Sequence, residues 1–346
     1  MIFTVNMNPS LDYYMSGKEL IFNKTNRSDR EVMRVGGKGI NISMLLRNMS
    51  LESTIVAPLA GFTGKEIKRN LDSLGIESLI INNDGLSRIN VKYIDNSNHA
   101  ETEINATGPH ISDLVEKNII DSLIKTCENG DYICLSGSAG NLAAERKDRF
   151  YADLMGEFKN KNLHFIVDAT GKSLINCLQY KPFLIKPNLD ELADIMKLTG
   201  RDDLTDKIYL LKKSEKPDRV EEYKDYEDIV DTENLKTIIE AGRLLLNCGA
   251  MNCIISMGGM GSVFINSENC LYSPAVTGKV ISTVAAGDSM IAGFLKAITD
   301  GRDWQDAYRL ACACGAATAM SEGMAEEIRI RELYTRVRLI DCHELA

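Results

Sequence analysis

Thr283-Val284-Ala285-Ala286-Gly287-Asp288-Ser289-Met290 runs straight into Ile291-Ala292-Gly293-Phe294-Leu295, a turn of small residues opening an apolar helix. Small residues let the backbone approach a ligand closely. A helix leaves its first amides unpaired and pointing outward, so its start is a natural anion site. Asp288 in that first turn is also simply a good helix starter. With phosphate as the anion it can do more. It can take a proton from an attacking hydroxyl while the amides stabilise the transferring group.

Outward from that helix, short apolar runs alternate with longer helical patterns, which predicts a mainly parallel sheet covered on both faces. Strand candidates are Ile2–Asn6, Ser53–Ala57, Leu79–Ile81, Tyr132–Leu135, His164–Val167, Phe183–Ile185 and Cys253–Ser256. Helical segments are Gly39–Asn48, Lys65–Leu74, Leu114–Cys127, Lys147–Phe158, Asp190–Thr199, Leu235–Asn247 and Ser289–Thr299. The whole chain, 1–346, reads as one domain. Residues 13–35 and 86–105 break the rhythm: they are polar, with partial alternation in Ile89-Asn90-Val91-Lys92-Tyr93-Ile94. They suit plain surface hairpins or a small sheet over a cleft. Residues 201–233 carry 12 acidic and 7 basic side chains in 33 positions without a glycine, which reads as a charged excursion or solvated helix with no chemistry of its own.

Three further clusters carry candidate chemistry. Val35-Gly36-Gly37-Lys38-Gly39-Ile40-Asn41 precedes a helix but lacks both G-x-G-x-x-G and G-x-x-x-x-G-K-[ST] spacing. That counts against a dinucleotide fold and against a P-loop, and leaves a flexible turn with Lys38 and Asn41 as polar handles. Lys186-Pro187-Asn188-Leu189-Asp190-Glu191 follows a strand, at the end of an open sheet where ligands bind. Asn188 and Glu191 form a capping pattern, and oxygen ligands at that spot also suit magnesium through water. Ser256-Met257-Gly258-Gly259-Met260-Gly261-Ser262 is a glycine-rich hairpin or a nucleotide loop.

Composition narrows the partners. Apolar residues make up 44% and charged residues 26%, with a formal charge of −9. With a pI near 5.2 this argues against nucleic acid, which demands a basic surface. Residues 1–50 are locally basic, with Lys18, Lys24, Arg27, Arg30, Arg34, Lys38 and Arg47 against Asp12, Glu19, Asp29 and Glu31. None of the nine cysteines forms C-x-x-C, so zinc spacing is missing. No run of about 18 apolar residues offers a membrane span. The opening MIFTVNMNPSLDYY lacks the pattern of a secretory leader, so a reducing, cytoplasmic compartment is expected.

Together the motifs resemble the ribokinase-like carbohydrate kinases, the phosphofructokinase B family, over nearly the whole chain apart from 201–233. The two family signatures are similar to Gly36–Asn41 and Thr283–Met290. Asn8-Pro9-Ser10-Leu11-Asp12, Arg88-Ile89-Asn90-Val91-Lys92, Thr102-Glu103-Ile104-Asn105 with Gly108-Pro109, and Leu135-Ser136-Gly137-Ser138 resemble the hexose-phosphate branch. Its members act on fructose 1-phosphate, tagatose 6-phosphate or fructose 6-phosphate.

The resemblance implies a three-layer αβα fold, a β lid over 13–35 and 86–105, and a homodimer joined through that lid. It makes Asp288 the proton acceptor and the amides of Ala286, Gly287 and Asp288 the anion hole. Asp12, Gly37 and Asn41 would hold sugar hydroxyls, with Lys38, Arg88, Lys24 and Ser138 toward the substrate's phosphate. Lys186, Asn188, Ser256, Gly258 and Gly261 would line the ATP side, with Glu191 ordering Mg2+ and Asn188 reaching it through water. The implied reaction is transfer from MgATP to the 6-hydroxyl of fructose 1-phosphate. A non-catalytic sugar-phosphate or nucleotide sensor is the alternative of another class. Two departures stand out: Ala285 where the branch commonly has Gly, and Ala139-Gly140-Asn141 where a Leu-Pro pair is usual.

Overall fold

The computed structural model describes residues 1–97, 101–214 and 230–345. Its strands are β1 (Ile2–Val5), β2 (Ser10–Gly17), β3 (Ser28–Gly36), β4 (Thr54–Ala60), β5 (Glu77–Asn83), β6 (Arg88–Asp95), β7 (Glu101–Asn105), β8 (Tyr132–Ser136), β9 (His164–Asp168), β10 (Leu184–Ile185), β11 (Asn252–Ser256), β12 (Ser262–Asn266), β13 (Cys270–Ser273) and β14 (Ile340–Asp341). Ten of them form one sheet in the order β14-β13-β12-β11-β10-β9-β8-β1-β4-β5. Pairing is parallel from β11 through to β5 and antiparallel from β11 out to β14. Every residue of β1 and β4 is buried, as expected for parallel strands covered on both faces.

Two apolar clusters fill the two sides of this sheet. One gathers Ile119, Tyr151, Leu192 and Ile238 from the helices of one face; the other gathers Leu45, Phe294, Tyr308 and Leu333 from the opposite face. The result is three layers, helix on sheet on helix. Capping signals start several of these helices: the side chains of Ser112, Asp231 and Asp303 accept from the backbone amides of Val115, Asn234 and Asp306.

The two polar stretches pair with each other. β3, β2, β6 and β7 form a second sheet, parallel between β2 and β6 and antiparallel at its edges. Its register places Asp12 opposite Asn90 and Asn90 opposite Asn105. These side chains share one face, and alternation sends Leu11, Tyr13 and Val91 to the other. Residues 98–100 of the 86–105 stretch lie outside the described residues.

Two expectations change. The helix read as Lys147–Phe158 is broken into Ala144–Lys147 and Phe150–Glu157. Arg146 in the first piece is tied to Glu116 and Asp153, while Phe150 and Tyr151 turn the second into the core. The charged stretch 201–233 is not a wholly solvated excursion. Asp202–Ser214 is a helix that buries Leu204, Ile208 and Leu211, a spacing that gives one apolar stripe. Residues 215–229 of that stretch lie outside the described residues.

Candidate active site

A cleft of about 780 Å³ lies between the second sheet and the carboxyl ends of the parallel strands. Asp12, Gly37, Lys38, Asn41 and Arg88 line it on the lid side. Lys186, Asn188, Glu191, Ser256, Gly258, Gly261, Ala286, Gly287 and Asp288 line it on the other. Of the sequence candidates only Lys24 and Ser138 fall outside this lining. Lys24 is exposed in the turn between β2 and β3, and Ser138 is exposed just after β8.

The helix Ala286–Thr299 starts three residues earlier than its apolar pattern suggests, so Asp288 sits inside the first turn and is 6% exposed. Ala285 precedes it with φ 63°, a left-handed conformation that costs an L residue about 1–2 kcal/mol. That turn aims the first amides into the cleft. Ala286 N already donates to Thr283 O at 3.3 Å. The Gly287 and Asp288 amides are left for an anion. Gly287 also leaves room for an ammonium: a Cβ there would lie 2.8 Å from Lys186 Nζ.

Asp288 is held by Asn41, whose Nδ2 donates to Oδ2 at 2.8 Å. Burial first, and the charge of Asp168 second, push the Asp288 pKa up to about 6, against the pull of Lys38, Asn41 and Lys186. Lys38 Nζ stands 3.0 Å from Asp168 Oδ2 and 3.9 Å from Glu191 Oε1. Burial would lower the Lys38 pKa, but Asp168, Glu191 and Asp288 outweigh it and hold the ammonium charged. This side chain therefore points toward the carboxylates on the Lys186 side of the cleft.

On the lid face, Asp12 accepts at Oδ1 from Ser10 Oγ at 2.7 Å and from Asn90 Nδ2 at 2.9 Å. Two donors fix that carboxylate and leave Oδ2 for a ligand. Arg88 is anchored by Nε donating to Asn8 O at 3.1 Å. Burial lowers its pKa, partly countered by Asp12. Lys92 is ion-paired with Glu103 at 2.7 Å. Asn90, Lys92, Glu103 and Asn105 all line the cleft without having been singled out for chemistry in the sequence. Their signal was the two motifs Arg88–Lys92 and Thr102–Asn105 that resemble the hexose-phosphate branch, and the strand alternation that puts them on one face with Asp12.

Asn188 and Glu191 close a reciprocal cap: Asn188 Oδ1 accepts from Glu191 N, and Glu191 Oε2 accepts from Asn188 N, each at 2.9 Å. The capping pattern is real, and it leaves Glu191 Oε1 turned to the cleft. Among the described residues no three metal-binding side chains cluster. Glu191 Oε1 and Asn188 are hard oxygen donors of the kind that would suit a magnesium ion arriving with phosphate oxygens and waters. Beyond the glycine-rich turn, Ala275, Val276, Cys312, Ala316 and Met320 make an apolar wall. Sequence reading missed this wall, since only packing brings the segment after β13 against the helix Trp304–Ala319 and its C-terminal Met320.

Three layers with a β lid over the strand ends are the architecture of ribokinase-like kinases. The chain belongs to the pfkB family of carbohydrate kinases, whose sequence profile matches residues 6–220 and 222–330. It is 32% identical to a 1-phosphofructokinase of Borreliella burgdorferi, across 99% of each chain. It is 30% identical to a D-tagatose-1-phosphate kinase of Bacillus licheniformis, across 98% of this chain and 99% of that one. Escherichia coli phosphofructokinase-2 in complex with fructose-6-phosphate superposes with a TM-score of 0.79 at 20% identity, over 97% of this chain and 98% of that one; this likeness speaks for the fold. Among the described residues no helix is long and apolar enough to cross a membrane.

Proposed function

We propose that this kinase transfers the terminal phosphoryl group of ATP to the 6-hydroxyl of fructose 1-phosphate, giving fructose 1,6-bisphosphate. The observation that carries the reading is the buried carboxylate of Asp288, set in a helix start whose free amides and neighbouring Lys186 suit a transferring phosphoryl. Asp12 Oδ2, Gly37 and Asn41 hold the sugar hydroxyls, and Arg88 meets the substrate's phosphate as a two-pronged donor. The bound hydroxyl attacks in line as Asp288 accepts its proton. The Gly287 and Asp288 amides, with Lys38 and Lys186, offset charge on the phosphoryl oxygens. Ser256, Gly258 and Gly261 line the nucleotide side, with Asn188 at the start of the next helix. Glu191 Oε1, with Asn188 through water, would hold Mg2+, whose chemistry is to screen the triphosphate's charge.

The lid reading extends to a homodimer. Met33, Tyr13, Val91 and Ile104 form one cross-strand row on the lid's outer face. Met33 is 49% and Ile104 68% exposed, an apolar surface suited to a second copy. Nine free thiols suit the reducing conditions of a cytoplasmic compartment.

A second substrate, D-tagatose 1-phosphate, is favoured by the 30% identity to a kinase of that name. An ADP-release assay with fructose 1-phosphate, tagatose 1-phosphate, fructose 6-phosphate and tagatose 6-phosphate separates the readings. Fructose 1-phosphate should give the highest kcat/KM, with ADP and bisphosphate formed one to one. No sugar-dependent ADP from any of the four would instead support a sensor on the kinase fold.

A further inference from the structure

Asp168 ends β9 and is buried behind the cleft-lining Lys38 and Lys186, with 1% of its surface exposed. Its two oxygens face two different ammoniums: Oδ2 is 3.0 Å from Lys38 Nζ and Oδ1 is 3.4 Å from Lys186 Nζ. Among the described residues no other donor reaches either oxygen. Lys38 opens the helix Lys38–Asn48 and belongs to the lid side, while Lys186 follows β10 on the nucleotide side. We infer that Asp168 is a positioning residue that holds Lys38 and Lys186 together at the point of phosphoryl transfer. The inference rests on the proposed reaction, in which both lysines offset phosphoryl charge.

Three observations set this apart from an ordinary structural ion pair. Lys38 keeps 35% of its side chain exposed and Lys186 borders the cleft, so the pair is turned toward a ligand. The missing Cβ at Gly287 keeps open the space that Lys186 Nζ occupies. Lysine side chains each carry about 2 kcal/mol of rotamer entropy, so a shared anchor fixes both before substrate arrives. Burial would raise the Asp168 pKa, but Lys186 and Lys38 outweigh it and keep the carboxylate ionised. Its charge is also felt by Asp288, which is faced by Asp168 from β9, Lys38 and Asn41 from the helix Lys38–Asn48, and Lys186 from the end of β10.

The test is Asp168→Asn, read by kcat/KM for fructose 1-phosphate against pH and by a thermal melt. The expected result is a roughly 10²-fold fall, the scale of a small misplacement of reacting groups. The acid limb of the profile should move to lower pH than in the wild type, because a negative neighbour of Asp288 is gone. A structural role alone would lower the melt and leave the kcat/KM of the folded enzyme close to wild type, while the limb shift reports only the lost charge. Removing one partner of a buried pair strands the other, whereas removing both is far milder. Lys38→Met with Asp168→Asn therefore decides the matter if the single variant does not fold. Its kcat/KM should fall below that of Lys38→Met by clearly less than the roughly 10²-fold that Asp168→Asn costs the wild type, because only the hold on Lys186 is then left to lose. Costs that multiply, or an Asp168→Asn enzyme equal to wild type, would overturn the inference. A wild type that releases no ADP would instead overturn the proposed reaction.

Discussion

As the proposed base, Asp288 must be ionised in a place that disfavours ionisation. Burial and the nearby Asp168 carboxylate raise its pKa to about 6, from an ordinary 3.8. A base works only without its proton, so kcat/KM should be flat at alkaline pH and fall tenfold per unit below about 6. A pH–rate profile on fructose 1-phosphate checks this, and one that stays level down to pH 5 contradicts it. The stability linkage has the opposite sign. Because the folded state binds this proton more tightly than the unfolded chain, ionising Asp288 costs stability as pH rises from 3.8 through about 6. The carboxylate is thus held at the expense of the fold, as functional groups often are. Ala285 adds a second local cost by occupying a left-handed conformation with a side chain, where glycine would be free of strain.

At the scale of the element, legibility tracked how local the signal was. The strands beginning at Ile2, Tyr132 and His164 announce themselves as short, largely apolar runs, and Asn188 with Glu191 announces a cap. The helix Trp304–Ala319 does not. Its Ala- and Cys-rich sequence is buried along most of its length, so no amphipathic period marks it. The helix Asp202–Ser214 was obscured differently, since abundant charge hid a sparse apolar stripe. That stripe gives a clear prediction. Ile208 is fully buried, so Ile208→Ala should cost roughly 2–5 kcal/mol in urea unfolding. Leu210→Ala, at a position 65% exposed, should stay within about 0.5 kcal/mol. Equal, negligible effects at both positions would mean that the helix is solvated after all.

Across the whole molecule, the sheet order brings together residues more than 200 positions apart in the chain, such as Asn41 and Asp288. Glycine-rich turns and helix starts mark most of this cleft in the sequence itself. Asp168 stayed hidden, because a carboxylate closing an apolar strand has no distinctive neighbours, and Lys92 showed only as the end of the Arg88–Lys92 motif without a role. Only the fold shows that one faces two ammoniums and the other pairs with Glu103 under the lid. The lid and the three-layer body thus converge on one carboxylate, and Asp288→Asn interrogates it most directly. Its kcat for fructose 1-phosphate should fall by roughly 10²–10⁴, the usual worth of a general base. ATP binding should persist, and the melting temperature at pH 8 should be unchanged or higher. Turnover within threefold of wild type in that variant would contradict the account.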